Sequence, residues 1–172
     1  MSRVPVPYTH RLNDTLAALA GPGLLLSSTK STGESNVMTI GWGSVGTIWG
    51  KPIFIVRVRP SRYTYEFIEE SGEFAVSVPT ADMKRYVALV GSRSGRDIDK
   101  FADLGFSAAP GQTVRAVNVA ACHMVYECKV VHHNDLIPAN LAPEIEARNY
   151  RGKDYHRVYF GEITGTFAFS NY

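Results

Sequence analysis

Strand-like segments dominate this chain, and only two or three helical segments separate them. The clearest is residues 52–58, where an apolar and β-branched run follows Pro52. The sequence predicts six or seven strands, drawn from residues 23–29, 37–48, 52–58, 73–78, 113–119, 123–131 and 158–169. A sheet of such consecutive strands exposes its edges unless it closes. We therefore predict a mainly β fold, a small barrel with two or three peripheral helices.

Helix boundaries are also visible in the sequence. The predicted helices are residues 12–20, 61–70 and 82–90, with a short one ending near residue 101. Asn13 or Asp14 is the expected N-cap of the first helix and Ser61 that of the second, while Ser94 is a candidate for the short one. The polar residues 133–154 are predicted to form a loop with a little helix.

Length, charge and cysteine content exclude several classes of protein. The 172 residues fit a single domain, residues 1–172. A net charge of +2 provides no strongly positive potential that would attract nucleic acid. No segment has the ~20 apolar residues of a membrane span, and the first residues lack the apolar run of a secretory signal. Cys122 and Cys128 are the only cysteines, and we expect reduced thiols in a cytoplasmic protein.

Residues 36–43 read Asn-Val-Met-Thr-Ile-Gly-Trp-Gly, which is unusual for the interior of a strand. Glycine in a strand marks a bulge or a place where another group approaches the backbone closely. Two interpretations follow from these residues alone. One is a bulged strand with Trp42 in the core, and the other is a backbone edge presented to a flat ring, as in a flavin site.

Arginines and hydroxyl groups stand at the predicted beginning of the second helix, where free backbone N–H groups attract anions. They are Arg59, Ser61, Arg62 and Thr64. Together with the preceding strand they would make a site for flavin mononucleotide (FMN). The alternatives are an ordinary helix cap at Ser61 and Thr64, and solvated surface charge at the two arginines.

Residues 91–97, Gly-Ser-Arg-Ser-Gly-Arg-Asp, form a second candidate for phosphate contact. No lysine follows the second glycine, so the nucleotide triphosphate pattern is absent. The segment could grip one phosphate or a ribityl chain. Equally, it could be a capping turn with Ser94 as N-cap and Asp97 in the first turn.

The cysteines and histidines do not have the spacing of a metal site. Cys122 and Cys128 are separated by an even number of residues on a predicted strand, so we expect both to face the core while His123 faces the other way. No metal is predicted. His156 is the only candidate for a catalytic role, because a bound flavin would itself carry the hydride chemistry.

Six short strings, spread from about residue 21 to residue 165, carry a resemblance to a known family. They are residues 36–39 (NVMT), 59–64 (RPSRYT), 72–76 (GEFAV), 94–101 (SGRDIDKF), 126–130 (YECKV) and 159–163 (YFGEI). In this order they resemble the flavin reductase-like family, in particular its flavoredoxin branch. The resemblance implies a Greek-key, FMN-binding split β-barrel that works as a homodimer, with FMN near the subunit interface.

The resemblance also implies which residues contact the cofactor. The isoalloxazine and ribityl parts would contact Asn36, Met38, Thr39, Ile40, Gly41 and Trp42. The phosphate would lie among Arg59, Ser61, Arg62 and Thr64, and Ser92, Arg93, Ser94 and Arg96 would close over the site. His156 matches a histidine of the family and would face the flavin or the second substrate.

The function implied is that of an FMN-dependent oxidoreductase. Electrons would pass from NAD(P)H or a reduced protein partner to flavin or a small acceptor. One alternative is a flavoredoxin-like electron carrier with no NAD(P)H turnover, and another is a split barrel that binds a different flat ligand such as haem. The chain departs from the family in lacking a proline at residues 115–119 and in its loop at residues 132–155, where substrate or partner selection is expected.

Overall fold

A computed structural model describes residues 2–172, and its main feature is an antiparallel sheet of eight strands. The strands of the chain are β1 (Arg3–Pro5), β2 (Leu24–Thr29), β3 (Ser35–Ile40), β4 (Gly43–Ile48), β5 (Lys51–Val58), β6 (Glu73–Val78), β7 (Ala108–Ala109), β8 (Asn118–Val119), β9 (Met124–Asp135) and β10 (Arg157–Phe169). The order in the sheet is β3-β2-β6-β9-β10-β5-β4, with β1 paired to β10, while β7 pairs with β8 separately. The prediction of a mainly β fold is confirmed.

Five α-helices accompany the sheet in the part of the chain described. They are α1 (Leu12–Ala20), α2 (Tyr63–Ser71), α3 (Lys84–Ser92), α4 (Lys100–Asp103) and α5 (Pro143–Asn149). The first three match predicted helices, and α4 and α5 are short pieces of four and seven residues. Across residues 2–172, no helix has the length and apolar character needed to cross a membrane.

The predicted N-caps are wrong in three helices. α1 begins after Arg11, whose backbone is left-handed, and the Asp14 carboxylate bonds to the Arg11 side chain rather than to a backbone N–H. α2 begins two residues beyond Ser61, which therefore does not cap it. α4 is capped by Asp99, which accepts hydrogen bonds from two N–H groups of the first turn, and not by Ser94.

The single strand predicted at residues 37–48 is in fact two strands at opposite ends of the sheet order. β3 pairs with β2, the chain turns at Gly41 and Trp42, and β4 pairs with β5. A Cβ atom on Gly43 would lie 2.8 Å from the carbonyl oxygen of Ile55. Only glycine therefore lets β4 begin this close to β5.

The strand predicted at residues 113–119 is wrong except for β8. The backbone N–H groups of this segment bond to side chains of the main sheet and not to the backbone of a neighbouring strand. Backbone N–H groups donate to the carboxylates and hydroxyls of the main sheet: Thr113 to Glu127 (2.6 Å), Arg115 to Glu73 (2.8 Å), Val117 to Thr29 (3.1 Å) and Val119 to Ser77 (3.2 Å). Glu127 is fully buried, and its carboxylate stays hydrogen-bonded there because it accepts from the backbone N–H groups of Gln112 and Thr113 and from the Thr113 hydroxyl.

The sheet covers two main apolar clusters. The larger one includes Phe54 and Tyr126, whose rings meet edge to face with centroids 5.2 Å apart. The smaller one packs the sheet against α3. Both cysteines are buried in the core, as predicted, but Cys128 lies in the first cluster and Cys122 in the second, so the prediction that both face the same side is wrong. Cys122 precedes β9, and the alternation of a strand does not extend to it.

The loop predicted at residues 133–154 is shorter than expected. β9 continues to Asp135, where it still pairs with Arg157 of β10. Beyond it the chain makes a short 3₁₀ turn and then α5 before it enters β10.

The contact between Gly43 and β5 can be tested by adding one methyl group. We expect Gly43→Ala to lower the free energy of unfolding by ~1–3 kcal/mol, because the Cβ meets a backbone carbonyl that cannot move without disturbing β5. Urea denaturation followed by circular dichroism measures the change.

Gly46→Ala, in the same strand, is the matched control. Nothing lies within 4 Å of a Cβ at Gly46, so we expect a change of less than ~1 kcal/mol in either direction. An equal loss of stability in the two variants would show that the close approach to β5 is not the reason for glycine at position 43.

Candidate functional site

A cavity of about 450 Å³ lies where the end of β3, the end of β5, the beginning of α2 and the loop after α3 meet. This volume is in the range of small-molecule and cofactor sites. Thirteen of the fourteen predicted cofactor contacts line it: Asn36, Met38, Thr39, Ile40, Gly41, Trp42, Arg59, Ser61, Arg62, Thr64, Ser92, Arg93 and Ser94. The fold thus brings three separate segments of the sequence to one space.

Arg96, the fourteenth predicted contact, is engaged elsewhere. Its guanidinium donates to Glu66 Oε1 at 2.5 Å and to the Ser61 carbonyl at 3.0 Å. It also lies over the ring of Tyr63, with Cζ 4.9 Å from the centroid. Arg96 therefore fastens the loop after α3 to α2 and lies outside the cavity lining.

Polar contacts between elements hold the walls of the cavity together. Asn36 Nδ2 donates to Thr64 Oγ1 at 2.9 Å, and both side chains are buried, so this bond joins β3 to α2. Thr39 Oγ1 donates to the Val87 carbonyl at 2.5 Å and joins β3 to α3. A Cβ on Gly95 would lie 2.2 Å from Asn36 Oδ1, so glycine is required for the loop to pack here.

The strand β3 borders the cavity with an edge that pairs with no strand within residues 2–172. It pairs with β2 on one side only, and residues 38–41 line the cavity. An edge strand has backbone N–H and C=O groups that no ladder uses. Such groups match the alternating donors and acceptors on the edge of a flat heterocyclic ring.

The cavity lining is strongly cationic. It contains the side chains of Arg57, Arg59, Arg62, Arg93 and Lys100, and one carboxylate, that of Asp97. The first turn of α2 adds backbone N–H groups and the positive end of the helix dipole. This arrangement favours a ligand with an anionic group.

The cations differ in how they are held. The guanidinium groups of Arg57, Arg62 and Arg93 make no hydrogen bond or ion pair in the part of the chain that the structure describes. Lys100 is buried, and its Nζ donates to two backbone carbonyl oxygens at 2.8 and 2.9 Å. Burial, and then the charge of Arg62, lower the pKa of Lys100 to about 8. Lys100 is therefore a fixed cation, whereas the three arginines can turn toward a ligand.

Arg59 and Ser61, predicted as phosphate contacts, also bind the segment before β10. The Arg59 guanidinium donates to the carbonyl oxygens of Asp154 (2.6 Å) and Asn149 (2.8 Å), and its Cζ lies 5.0 Å from the ring centroid of Tyr150. Ser61 Oγ donates to Asp154 Oδ2 at 2.5 Å. Both residues line the cavity while attached to this segment.

His156 lines the cavity between two aromatic side chains. Its ring lies 5.1 Å from that of Trp42, and its Nδ1 is 2.8 Å from the Tyr150 hydroxyl. Burial, and then the positive charge of Arg59, lower the pKa of His156 to about 4. At neutral pH His156 is therefore uncharged, and it adds no positive charge to the site.

Some lining residues were not predicted. Arg57, Tyr63, Val90 and Lys100 border the cavity as well. Arg57 could have been predicted from the sequence, because side chains two positions apart on a strand face the same side, and Arg59 was already a predicted contact. No sequence pattern indicated Lys100, since a lysine beside Asp99 is normally solvated. Within residues 2–172, no cluster of three His, Cys, Asp or Glu side chains could hold a metal ion.

The chain matches the model of the flavin reductase-like domain over residues 16–170. Among related sequences, it is 31% identical to YddH of Escherichia coli over 126 residues, which are 72% of this chain and 63% of YddH. It is 33% identical to a protein of Archaeoglobus fulgidus over 98 residues, 57% of this chain and 55% of that protein. For the Archaeoglobus fulgidus protein, and for a similar protein of Pyrococcus abyssi, the match spans a little over half of the relative's length.

Solved structures with the same fold include two flavoredoxins. The flavoredoxin of Desulfovibrio vulgaris (Miyazaki F) is 26% identical, with a TM-score of 0.70 over 87% of this chain and 70% of that chain. The flavoredoxin of Methanosarcina acetivorans is also 26% identical, with a TM-score of 0.69 and the same coverage. A split-barrel protein from Shewanella frigidimarina, described as a flavin reductase, is 17% identical with a TM-score of 0.70, which shows the fold alone.

These matches define the class as split-barrel proteins of the flavin reductase type, and they confirm the fold predicted from the sequence. The chain belongs to the flavin reductase-like family, and the two flavoredoxin structures support its place in the flavoredoxin branch.

The low pKa of His156 predicts a pH dependence of stability. In the unfolded chain this histidine has an ordinary pKa near 6.5, and in the folded protein the pKa is about 4. Below pH 6.5 the unfolded chain takes up a proton that the folded protein does not. This group therefore lowers the free energy of unfolding as the pH falls from 6.5 to 4, by on the order of 2 kcal/mol, and has no effect above pH 6.5.

Urea denaturation of the parent and of His156→Phe at several pH values measures this contribution. The variant is expected to lose less stability between pH 6.5 and pH 4 than the parent does. Nuclear magnetic resonance of the imidazole protons gives the pKa directly. A titration midpoint near 6.5 for His156 in the folded protein would contradict the burial argument.

Proposed function

We propose that this chain binds FMN in the cavity at β3 and α2 and works as a flavin-dependent oxidoreductase. The proposal depends on one observation. A single cavity is bordered both by a strand edge that has no partner strand within residues 2–172 and by a helix N-terminus surrounded by cationic side chains. FMN has the matching shape, a flat ring with a polar edge and a phosphate at the other end. When bound, FMN supplies hydride and electron transfer, which is the chemistry of the cofactor and not of the side chains that line the cavity.

The chain's own residues divide into two groups under this proposal. Residues 38–42 hold the ring, with backbone groups at its edge and the side chains of Met38 and Trp42 beside it. Ser61, Arg62 and Thr64 hold the phosphate with the first N–H groups of α2. Ser92, Arg93 and Ser94 cover the site from the loop after α3.

The electron donor in the first proposal is NAD(P)H or a reduced protein partner, and the acceptor is flavin or a small molecule. The resemblance to flavoredoxins at 26% identity supports a second candidate, an FMN-binding electron carrier with no NAD(P)H turnover. Both candidates require the same bound flavin. They differ in whether pyridine nucleotide reduces it directly.

A homodimer with FMN near the subunit interface is part of the proposal. In support, an aromatic cluster lies on the outside of the sheet, where Trp49 is 63% exposed and packs on Phe160 and His132 with centroids 5.8 and 6.1 Å away. Exposed apolar groups of this kind mark interaction surfaces. A cytoplasmic location stays a prediction.

Absorption spectroscopy and stopped-flow mixing test the function. The protein reconstituted with FMN should show the two absorbance bands of oxidised flavin. Anaerobic mixing with NADH and with NADPH should bleach them if the chain is a reductase. Bleaching by dithionite but by neither nucleotide would leave the electron carrier or an oxidoreductase that a protein partner reduces, and failure to retain any flavin would overturn both candidates.

Arg62 provides a test of the phosphate end, because it has no partner within residues 2–172 that its loss would disturb. We expect Arg62→Gln to weaken FMN binding by ~1–3 kcal/mol, the scale of one charge-assisted hydrogen bond. Riboflavin, which lacks the phosphate, should bind the variant and the parent equally. Fluorescence titration of both flavins measures the difference.

Arg148→Gln on α5 is the matched control, since it removes an exposed arginine that lies outside the cavity lining. It should leave both affinities unchanged. If Arg62→Gln weakened riboflavin binding as much as FMN binding, Arg62 would contact the ring end or shape the cavity, and its assignment to the phosphate would be wrong.

A further inference from the structure

The hydroxyl of Ser61 already has an acidic partner from a distant part of the chain. Ser61 Oγ donates to Asp154 Oδ2 at 2.5 Å, although the two residues are 93 positions apart. Ser61 lines the cavity at the beginning of α2, where the proposed function puts the phosphate of FMN. A carboxylate from the protein therefore occupies a donor that a phosphate would need.

The same cavity residues hold the segment that carries Asp154. We call residues 149–155 the arm. Arg59 donates to the carbonyl oxygens at both ends of it, Asn149 and Asp154, and lies over Tyr150. Tyr150 is buried, and its hydroxyl is hydrogen-bonded to His156 Nδ1. Through these contacts the arm is attached directly to the phosphate end of the cavity.

A carboxylate and a phosphate cannot share this position without repulsion. Both are anions and both accept hydrogen bonds from the same kinds of donor. Although the hydrogen bond between Ser61 and Asp154 is exposed to solvent, two like charges that compete for one donor repel each other. The cations of the cavity favour either anion. The one that binds Ser61 therefore excludes the other.

We propose that Asp154 competes with the phosphate of FMN for Ser61, and that binding of FMN displaces the Asp154 carboxylate and loosens the arm. Asp154 is then a specificity-determining residue, because it reduces the affinity for a phosphorylated flavin and leaves that for an unphosphorylated one unchanged. This inference rests on the proposed function, since it requires the phosphate at the beginning of α2. It adds a coupling between the cofactor and the arm.

Asp154→Asn tests the competition. The amide of asparagine can still accept a hydrogen bond from Ser61, so the arm keeps its attachment, but the competing charge is gone. We expect FMN to bind roughly five- to twentyfold more tightly and riboflavin to bind within twofold of the parent, as expected for one charge-assisted contact. Fluorescence titration of flavin-free protein with each flavin gives both constants.

Glu144→Gln is the matched control, because Glu144 is an exposed acid on α5 outside the cavity lining and away from Ser61. It removes the same charge from the same part of the chain. Neither affinity should change. A gain in FMN affinity equal to that of Asp154→Asn would show a general effect of net charge and would overturn the competition.

The double variant separates exchange at Ser61 from electrostatic repulsion alone. In a Ser61→Ala background the exchanged hydroxyl is absent, so adding Asp154→Asn should raise FMN affinity by less than about threefold. If the full gain persisted without Ser61, the two anions would not share this donor and the proposal would be wrong.

Hydrogen exchange reports on the arm independently of affinity. FMN should speed the exchange of backbone amides in residues 149–155 of the parent, and riboflavin should not. Slower exchange with FMN would overturn the proposal, because the arm would then close on the cofactor. If no variant binds either flavin, the proposed function fails and the inference fails with it, whereas binding of FMN with an unchanged FMN-to-riboflavin ratio in Asp154→Asn overturns the inference alone.

Discussion

The cavity depends on the way the chain leaves the sheet between β3 and β4. These consecutive strands lie at opposite ends of the strand order, so hydrogen bonds between them do not close the sheet within residues 2–172. An open edge is normally a liability because it invites another strand. Here α3 packs beside β3, fastened by the bond from Thr39 to the Val87 carbonyl, and the cavity lies next to it. The opening gives a ligand access to backbone groups that a closed barrel would use internally.

Electrostatics of the cavity combine fixed and movable cations. Lys100 is held by two backbone carbonyls, and Arg59 by two others, so their charges are in place before any ligand arrives. Such preorganised charge needs no reorganisation on binding. Arg57, Arg62 and Arg93 have no partner in the described chain and must lose side-chain freedom to contact an anion. The fixed pair therefore selects the sign of the ligand's charge, and the movable arginines adapt to its position.

Local patterns predicted the structure where neighbours in sequence decide it. β5, β6 and α1 follow from runs of residues that pair or pack along their whole length. Residues 113–119 have the composition of a strand, but carboxylates and hydroxyls of the main sheet accept their N–H bonds, and no local pattern contains that information. The same distinction applies to the site. Most residues that line the cavity belong to short sequence motifs and could be predicted. The hydrogen-bonding partners of Arg59 could not, because they lie 90 and 95 positions later in a segment without a motif.

That segment is also part of the loop where we expect the chain to depart from the pattern of its family, and the way it is attached is consistent with this expectation. The arm is held by hydrogen bonds from Arg59 and Ser61 and by one buried ring, while apolar side chains of the loop before it, Ile137 and Ile145, stay about half exposed. A segment with so little apolar burial opens at a lower free energy than a strand of the sheet. Its sequence can therefore change without loss of the core. Because its polar contacts end at the cationic part of the cavity, we expect such changes to alter the cavity while the strands of the sheet stay the same.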